Sequence, residues 1–557
     1  MEYIIFFSVA LLIFAFVLVQ EFFAGKKREK YVLEKIEEDF HTKQLKSYEP
    51  QDLYIIKRYF ERKKSADSID DITASDLEIE RLFSAFNKSE SQMGSEYFYY
   101  MLRTMHFDEA YFKNIDGKVE ALRKAPESRK KLSLTFHKIG SLRKYSLFDC
   151  LDLLSEGNSY SLLSDYICII LFVLSIASIF YFLNFGIIFL IAVFVYNIFS
   201  YYKKRGEIEP YVVSFSYIMN LISNVKAIDK IDLNAFLSEK ESLRENLKKL
   251  NKLNFYSIFV NKANSSIGIG NPLSIIMDYL GMFLHLDIIA FYKMKNLVLS
   301  NRESVENLYD TLGFMESLIS VAFIRENYDY AIPGKSESLK AVNIYHPLIE
   351  NPVKNSINVE TSVLLTGSNA SGKSTFLKAV AINALFSKTI YTCFADEFSS
   401  DSYHVFSSMS LRDDLSNNDS YFMVEIKAIK RILDYIESNP DKRVICFLDE
   451  VLRGTNTVER IAASTEILNS LKEKALVFAA THDIELTRIL NKDFRNYHFD
   501  EIIENDDVLF EYTLKEGPSD TRNAIKLLGI LGYDKSIIDK ATENALNYMN
   551  TGEWQVK

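Results

Sequence analysis

Two shortages limit what this chain can be: it has few cysteines and no excess of positive charge. The four cysteines lie at positions 150, 168, 393 and 446, without the spacing of a metal site, and indicate small apolar side chains in a reducing compartment. The net charge is −10 at pH 7, so the overall composition indicates no nucleic-acid surface. Any such surface must be local, and solvated helix faces explain the basic groups equally well. These groups are Arg123-Lys124 with Arg129-Lys130-Lys131, and Lys248-Lys249 with Lys252.

Charge is missing altogether from two apolar stretches, residues 3–19 and 166–202. A secretory signal carries positive charge before its apolar run, whereas here Lys26-Lys27-Arg28 follow it, so the first stretch is interpreted as an uncleaved anchor. The second stretch is too long for one span of about 20 residues and fits two helices broken near Asn184-Phe185-Gly186. It is followed by Lys203-Lys204-Arg205.

Because basic residues favour the cytoplasmic flank of a span, both basic clusters are expected inside. The prediction is a multi-pass protein of the cell membrane with three spans, its N-terminus outside and its large polar segments in the cytoplasm. The alternative is that both stretches are buried helices of a soluble protein, which the matching basic flanks disfavour.

Hydrophobic periodicity divides the chain into five segments. Helical patterns fill the polar segments on both sides of the second apolar stretch, and from about residue 343 short β-branched runs alternate with helices, as in a layered α/β domain with a mostly parallel sheet. The predicted segments are an anchor (1–25), the first half of a cytoplasmic helical core (26–164), a transmembrane hairpin (165–203), the second half of the helical core or lever (204–342), and an α/β domain with C-terminal helices (343–557).

A phosphate-binding loop follows the predicted strand 362–365. Its spacing is G-x-x-x-x-G-K-[ST], and a helix follows it, which argues against a chance match in a glycine-rich loop. Glycines let backbone N–H groups curl around phosphate, Lys373 reaches the terminal phosphates and Ser374 offers a hydroxyl to Mg²⁺. The predicted ATP-binding residues are Gly367, Ser368, Asn369, Ala370, Ser371, Gly372, Lys373, Ser374 and Thr375.

Two further apolar strands end in chemically useful side chains. Strand 444–448 ends in Asp449 and Glu450, a Walker B ending that predicts Asp449 on Mg²⁺ and Glu450 beside the attacking water. Strand 475–480 leads to His482, which is placed to contact the γ-phosphate or that water. A lone histidine is more often structural, but its position at the ligand-binding edge favours function. Lys373, Glu450 and His482 are the predicted catalytic residues.

Motifs between and after these strands resemble those of the MutS family. They are Arg412-Asp413-Asp414-Leu415, Ser420-Tyr421-Phe422-Met423-Val424-Glu425, Asp449-Glu450-Val451-Leu452-Arg453-Gly454-Thr455, Leu514-Lys515-Glu516-Gly517-Pro518-Ser519-Asp520 and His346-Pro347. The resemblance implies an ABC-like P-loop ATPase domain, with ATP and Mg²⁺, preceded by an all-α core and lever region. It also implies that Ser420 acts in trans on the partner's ATP site, so that the functional unit is a homodimer. Residues 72–103 and 206–340 look more weakly like the family's helical core and lever.

The leading hypothesis is a MutS-like ATPase that moves helical arms, with DNA as a candidate partner in a mismatch-repair-like or other DNA transaction at the membrane. No counterpart of the mismatch-reading domain is found, and the triplet Phe314-Met315-Glu316 lies in a predicted helix, where chance and core packing explain it. Mismatch sensing is therefore not expected. The alternative is an ATP-driven membrane scaffold or protein-remodelling switch without nucleic acid. A transporter ATPase is disfavoured, because residues 395–449 lack the Ser-Gly-Gly signature.

Overall fold

Helices and strands are distributed along the chain much as the hydrophobic periodicity indicates. The computed structural model describes residues 2–142, 145–156, 160–253, 281–368, 371–409, 421–504, 507–519 and 532–552, with residues 525, 528 and 554. Two compact units share these residues. The helical unit comprises Met1–Lys64, Phe83–Met101 and Lys113–Asn327, and the sheet unit comprises Ser65–Leu82, Leu102–Phe112 and Tyr328–Lys557.

In the described residues as far as Asn327, all regular elements are helices. They are α1 (Glu2–His41), α2 (Pro50–Lys63), α3 (Asp71–Asp76), α4 (Ile79–Phe86), α5 (Gln92–Arg103), α6 (Glu109–Lys124), α7 (Pro126–Ile139), α8 (Leu147–Glu156), α9 (Leu163–Tyr181), α10 (Leu183–Asp229), a 3₁₀ turn (Asn234–Phe236), α11 (Leu237–Leu250), α12 (Leu286–Ser300) and α13 (Arg302–Asn327). Large aromatic side chains fill the core of the helical unit, and Tyr59 lies within 6.3 Å, ring centre to ring centre, of Phe148 and Tyr309. The predicted helical character of this region is confirmed.

The second apolar stretch forms a helical hairpin made of α9 and the first part of α10. The helices separate at Phe182, two residues before the predicted break, and Gly186 lies inside α10, where it packs closely against α9. A Cβ at position 186 would lie 2.6 Å from the Cα and N atoms of Ile179. Leu163–Tyr181 and Leu183–Gly206 are long and apolar enough to cross a membrane, by length and composition alone. The predicted anchor lies within α1, where most side chains up to residue 22 lie outside the described residues.

A buried polar cluster closes the base of the hairpin. The carboxylate of Asp165 accepts hydrogen bonds from Lys204 Nζ at 2.7 Å and from the Tyr160 hydroxyl at 2.8 Å, and it lies 2.7 Å from His285 Nδ1. Asp165 and His285 are fully buried. A buried carboxylate requires such partners, so this cluster fixes how α9, α10 and the residue before α12 meet.

In the part of the chain that the structure describes, strands begin after Asn327. The remaining elements are β1 (Gly334–Lys335), β2 (Leu339–Ile344), β3 (Asn355–Val359), β4 (Ser362–Thr366), α14 (Lys373–Thr389), β5 (Glu397–Ser400), β6 (His404–Ser408), α15 (Tyr421–Ser438), β7 (Val444–Asp449), α16 (Thr457–Lys472), β8 (Ala475–Ala480), α17 (Ile484–Ile489), β9 (Phe494–Glu504), β10 (Asp507–Glu516) and α18 (Lys535–Thr551). The domain boundary predicted at residue 343 falls inside β2. The predicted domain limits remain predictions.

A six-stranded mixed sheet in the order β10-β9-β4-β8-β7-β6 organises the sheet unit. The strands from β9 to β6 pair in parallel, and β10 is antiparallel to β9. Residues from α15, α16 and α17 pack on one face, whereas α14 contacts β6, β7 and β8. A smaller sheet has the order β1-β5-β2-β3. The larger sheet brings the ends of β4, β7 and β8 to one edge.

Residues 65–82 pack within the sheet unit although their partners lie 300 or more positions later in the chain. The buried carboxylate of Asp76 accepts hydrogen bonds from Ser407 Oγ at 2.7 Å and Met409 N at 2.9 Å. The hydroxyl of Thr73 accepts from Ser407 N at 3.1 Å, and Glu78 pairs with Lys378 of α14 at 2.7 Å. Helix α3 is therefore tied to the end of β6.

Candidate functional site

The loop between β4 and α14 curls tightly enough that two of its positions require glycine. Gly367 has φ +138°, and a Cβ there would lie 2.5 Å from the Phe499 carbonyl oxygen. Gly372 has φ +104° and stands at the start of α14, facing the Tyr512 ring. Both conformations are left-handed and favour glycine. Asn369 and Ala370, which complete the predicted loop, lie outside the described residues.

Lys373 turns its ammonium back towards the loop. Its Nζ donates to the carbonyl oxygens of Gly367 and Ser368, each at 2.7 Å. Burial lowers the pKa of Lys373 to about 8, because desolvation penalises the charged form. The hydroxyl of Ser371 donates to the Ser368 carbonyl at 2.8 Å, and among the described residues the buried Ser368 hydroxyl has no hydrogen-bond partner. The described part of the loop thus holds a cation and an unsatisfied hydroxyl, two groups that a phosphate can engage.

The last residue of β7 meets the first turn of α14. Ser374 Oγ donates to Asp449 Oδ2 at 2.5 Å, which joins the two predicted metal ligands directly. Burial raises the pKa of Asp449, and the hydrogen bond from Ser374 opposes that rise. A partly buried carboxylate that stands next to a second carboxylate, Glu450, is costly to ionise, and a divalent cation would relieve that cost.

Glu450 follows Asp449 and meets the residues after β8. Its Oε1 lies 2.8 Å from His482 Nε2, and its Oε2 lies 2.8 Å from Arg453 Nη1. The hydrogen bond from His482, with the charge of Arg453, holds the pKa of Glu450 below its ordinary value. Glu450 therefore remains ionised at neutral pH and can accept a proton.

The residue after His482 is fixed by a two-pronged ion pair. Asp483 accepts from Arg460 Nε at 2.8 Å and from Arg460 Nη2 at 2.6 Å. The Asp483 amide also donates to Thr481 Oγ1 at 3.0 Å, and the Thr481 amide donates to the Leu365 carbonyl at 2.9 Å. His482 thus stands on backbone that is held at both sides.

A cavity of about 410 Å³ opens beside Gly372 and Thr375. Its lining is largely apolar and aromatic, and burial lowers the pKa of His346 to about 4, so that histidine is neutral there. A planar base attached to phosphates in the loop would suit this space and chemistry. The lining residues are Ile344, Tyr345, His346, Ile349, Glu350, Asn351, Pro352, Val353, Asn355, Gly372, Thr375, Phe376, Ala379, Phe499 and Tyr512.

Tyr512 reaches this cavity through an irregularity in β10. The register with β9 shifts between Phe510 and Leu514, and Tyr512 has φ +54°. The Asn355 side chain holds this bulge by donating to the Tyr512 carbonyl at 2.9 Å and accepting from the Leu514 amide at 2.7 Å. Bulges commonly re-aim a side chain at a functional site, and this one turns the Tyr512 ring towards Gly372.

The described residues fit ATP with a divalent cation. The glycine positions of the loop exclude a Cβ, a lysine lies within the loop, and Ser374 and Asp449 offer two hard oxygen ligands side by side. Lys373, Ser374, Asp449, Glu450 and His482 lie together at one sheet edge. Ser420 lies outside the described residues, so its predicted role remains a prediction.

Among the lining residues that were not predicted from the sequence are Tyr512, Phe499, Val353 and Asn355. His346 was used only for the family resemblance. Tyr512 stands two residues before the motif that begins at Leu514, and that closeness was the available signal.

Comparison with known proteins agrees with this geometry. The family model for MutS domain V matches residues 363–549. MutS protein homolog 4 of Homo sapiens is 30% identical over 281 residues, which cover 46% of this chain and 29% of that protein. DNA mismatch repair protein MutS of Fervidobacterium nodosum is 31% identical over 258 residues, or 43% of this chain and 30% of that protein.

DNA mismatch repair protein MutS of Listeria welshimeri is 29% identical over 287 residues, or 48% of this chain and 33% of that protein. The chain thus spans about a third of the length of these curated relatives. Each alignment is longer than the stretch matched by the domain V model, so the similarity continues beyond it. Together with the phosphate loop, the Walker B ending and the motifs around them, these matches identify a MutS domain V in this chain and support its membership of the MutS family.

Proposed function

We propose that this chain binds and hydrolyses ATP at the edge formed by β4, β7 and β8. The observation that carries the proposal is the direct contact of Ser374 with Asp449, next to the Glu450–His482 pair and the loop that holds Lys373. These groups supply phosphate binding, metal ligation and water activation within one site. The ABC-like character of the domain is part of the same proposal.

Each side chain has a distinct role in the proposed reaction. Lys373 exchanges its bonds to the loop carbonyls for bonds to the terminal phosphates, because a phosphate is the stronger acceptor for an ammonium. Glu450, held ionised, orients the attacking water and accepts its proton. His482 fixes the Glu450 carboxylate and faces the γ-phosphate side. Mg²⁺, held by Ser374 and Asp449, would neutralise negative charge on the phosphates.

Two substitutions test the site in purified full-length protein. Lys373→Ala should abolish ATP binding and hydrolysis, and Glu450→Gln should leave binding intact while lowering kcat by on the order of 10²-fold or more. Glu473→Gln is the matched control, because Glu473 lines a surface hollow at the start of β8, the opposite end from His482. Unchanged turnover in both site variants would rule out this assignment.

We also propose that the ATPase acts as a homodimer in which Ser420 completes the partner's site. The MutS-family signature that contains Ser420 supports this. Mixing Lys373→Ala and Ser420→Ala proteins should restore part of the activity that each lacks alone, because one intact composite site forms in the mixed dimer. Mixtures as inactive as either variant would contradict a shared site.

DNA is proposed as a partner by analogy with the relatives named DNA mismatch repair protein MutS. The described ion pairs favour the alternative, a switch that uses no nucleic acid. Arg129 is buried against Glu37 with its guanidinium 3.6 Å from the Phe40 ring centre, and Lys130 pairs with Glu37 and Glu127. Arg123 pairs with Glu120 and Glu326. Three of the five side chains in the first basic group, residues 123–124 and 129–131, are therefore engaged with carboxylates.

A salt titration separates the two functions. Phosphate-contacting binding weakens steeply as salt rises, with a slope of about −0.9 per phosphate neutralised on duplex DNA. Branched, mismatched and single-stranded DNA should each be tested with the full chain at low salt. Binding that weakens along such a slope supports a DNA transaction, and absence of binding at low salt supports the switch.

Finally, we propose that the α9–α10 hairpin, with the N-terminal part of α1, anchors the protein in the cell membrane with the ATPase in the cytoplasm. In each hairpin helix, only 17% of the most apolar 18-residue stretch is buried. The side chains of Phe180 and Phe199 are 85% and 74% exposed. A soluble core helix would bury most of such a surface. Lys204 and Arg205 lie at the base, next to Tyr160 and Tyr201, as at an interfacial belt.

A further inference from the structure

The turn after β7 has a costly backbone conformation. Glu450 has φ +55° and Leu452 has φ +60°, and neither residue is glycine. Left-handed conformations at such residues persist where the surroundings enforce them, and they concentrate at functional sites. Since the first of these residues is the proposed water-activating carboxylate, whatever enforces the turn also fixes the position of that carboxylate.

Three elements hold the turn. The Glu450 amide donates to the Ala480 carbonyl of β8 at 2.9 Å, which extends the strand pairing by one residue. The hydroxyl of Ser464, on α16, donates to the Val451 carbonyl at 3.1 Å. From α15, the Glu425 carboxylate accepts the Arg453 amide at 3.2 Å. The Arg453 amide, which makes the contact with Glu425, directly follows Leu452, the second left-handed residue.

Glu425 is well suited to this role. Its side chain is buried, and its carboxylate accepts the Arg453 amide. Burial raises the pKa of Glu425, and the amides of Arg453, Leu452 and Gly454 oppose that rise. The same helix packs against the turn through Phe422, since a Cβ at Gly454 would lie 3.1 Å from Phe422 Cβ. Helix α15 therefore contacts the turn in two ways, through the packing of Phe422 against Gly454 and through the hydrogen bond of Glu425 with the Arg453 amide.

We infer that Glu425 is a positioning residue for the proposed hydrolysis. It accepts the Arg453 amide, holds the turn that follows β7 and thereby keeps Glu450 facing His482 and next to Asp449. The inference rests on the proposed ATPase function, and it adds a residue that touches neither phosphate nor metal ligand. Its expected signature is a loss of turnover without a loss of nucleotide binding.

The test compares Glu425→Ala and Glu425→Gln in the full-length protein, with Glu437→Ala as the control, because Glu437 is an exposed residue on the same helix. For Glu425→Ala, kcat should fall by on the order of 10²-fold, since small displacements of a catalytic group have such effects. The dissociation constant of a non-hydrolysable ATP analogue should change by less than about threefold. Glu425→Gln should show a smaller fall, because its amide oxygen still accepts one N–H.

A second measurement guards against simple misfolding. In the Glu450→Gln background, Glu425→Ala should lower the residual rate no further, because both changes act through one carboxylate. The inference alone is overturned if the wild type hydrolyses ATP and Glu425→Ala retains kcat within about twofold, if nucleotide binding falls in parallel with kcat, or if the two changes are additive. A wild-type protein without ATPase activity overturns both the inference and the proposed function.

Discussion

Glu316 illustrates how one buried side chain can complete a distant helix. It lies wholly inside the helical unit on α13, and its Oε1 accepts the amides of Glu90 at 2.7 Å and Ser91 at 3.0 Å. The Ser91 hydroxyl donates to its other oxygen. These amides precede α5 and would otherwise be buried without acceptors. The position of Glu316 agrees with the core-packing explanation of its triplet.

Removal of this acceptor should destabilise the protein. Glu316→Ala leaves two buried amides unsatisfied and opens a cavity, so the free energy of unfolding should fall by about 3 kcal/mol or more. Glu316→Gln should be much milder, because its amide oxygen can accept both N–H groups. Denaturant unfolding of the full-length variants checks this. Equal losses for Ala and Gln would contradict the acceptor role.

Buried carboxyl groups should also make stability depend on pH. Burial raises the pKa of Glu96 and of Glu316 to about 8, against an unfolded value of 4.5. The folded state then holds protons that the unfolded state has lost, so stability falls as pH rises from about 4.5 to about 8, by up to about 1.4 kcal/mol per pH unit for each group. Denaturant unfolding between these pH values should show the fall.

The double variant Glu96→Gln with Glu316→Gln provides the comparison. Both glutamines stay neutral across the range, so the pH slope should become flatter than in the wild type. A slope that is identical in the two proteins would mean that other groups cause it.

Tyr512 should contribute to nucleotide affinity through its ring. It lines the cavity beside Gly372, where it can stack on a base. Tyr512→Ala should weaken ATP binding by about 1 kcal/mol, or roughly fivefold in Kd, and Tyr512→Phe should bind nearly as well as the wild type. Tyr533→Ala, at an exposed position, is the control. Titration with a fluorescent ATP analogue measures these differences, and equal Kd values for all four proteins would exclude stacking.

At the scale of elements, motifs that lie within one short stretch of sequence could be predicted. Sites built from residues of several distant elements could not. The spacing from Gly367 to Ser374 and the ending at Asp449 each occupy one strand and its loop, so the sequence contains them whole. The cavity near Thr375 draws on residues from β2, β3, α14, β9 and β10, which no local pattern connects. Likewise, the bulge at Tyr512 depends on Asn355, more than 150 residues earlier.

The attachment of α3 to β6 is another feature that local patterns could not show. Asp76→Ala removes the acceptor of the Ser407 hydroxyl and the Met409 amide and leaves both buried, so stability should fall by about 2 kcal/mol. Ser75→Ala, an exposed change on the same helix, should be nearly neutral. Thermal unfolding of the two variants compares them. A neutral Asp76→Ala would show that the contact adds nothing to stability.

At the scale of the whole molecule, the hairpin should decide where the protein resides. The side chains of Ile170, Val173 and Leu174 are each more than half exposed on α9. If they face lipid, the wild type should resist carbonate extraction and float with liposomes, whereas replacement of all three by Asp should release the protein, since each charge costs about 2.5–3.5 kcal/mol in a bilayer. Release of the wild type by carbonate would contradict the anchor.

The sequence predicted the hairpin from the absence of charge between residues 166 and 202, but it could not predict how its base is held. Asp165 and Lys204 bound the apolar stretch and were interpreted only as flanks. Their contact, with His285 as a third member, joins positions up to 120 residues apart. Such pairing depends on the fold and not on any local pattern.

Helix α10 runs without interruption from Leu183 to Asp229. At 1.5 Å per residue its 47 residues form a rod about 70 Å long. Its first half is the exposed apolar arm, and its second half buries Phe215, Ile218 and Ile222 in the core of the helical unit. The helix continues between the two halves although Pro210 has no N–H to donate to the Gly206 carbonyl, so a displacement of the hairpin is transmitted along the helix to the core, with Pro210 as the point where the helix bends most easily.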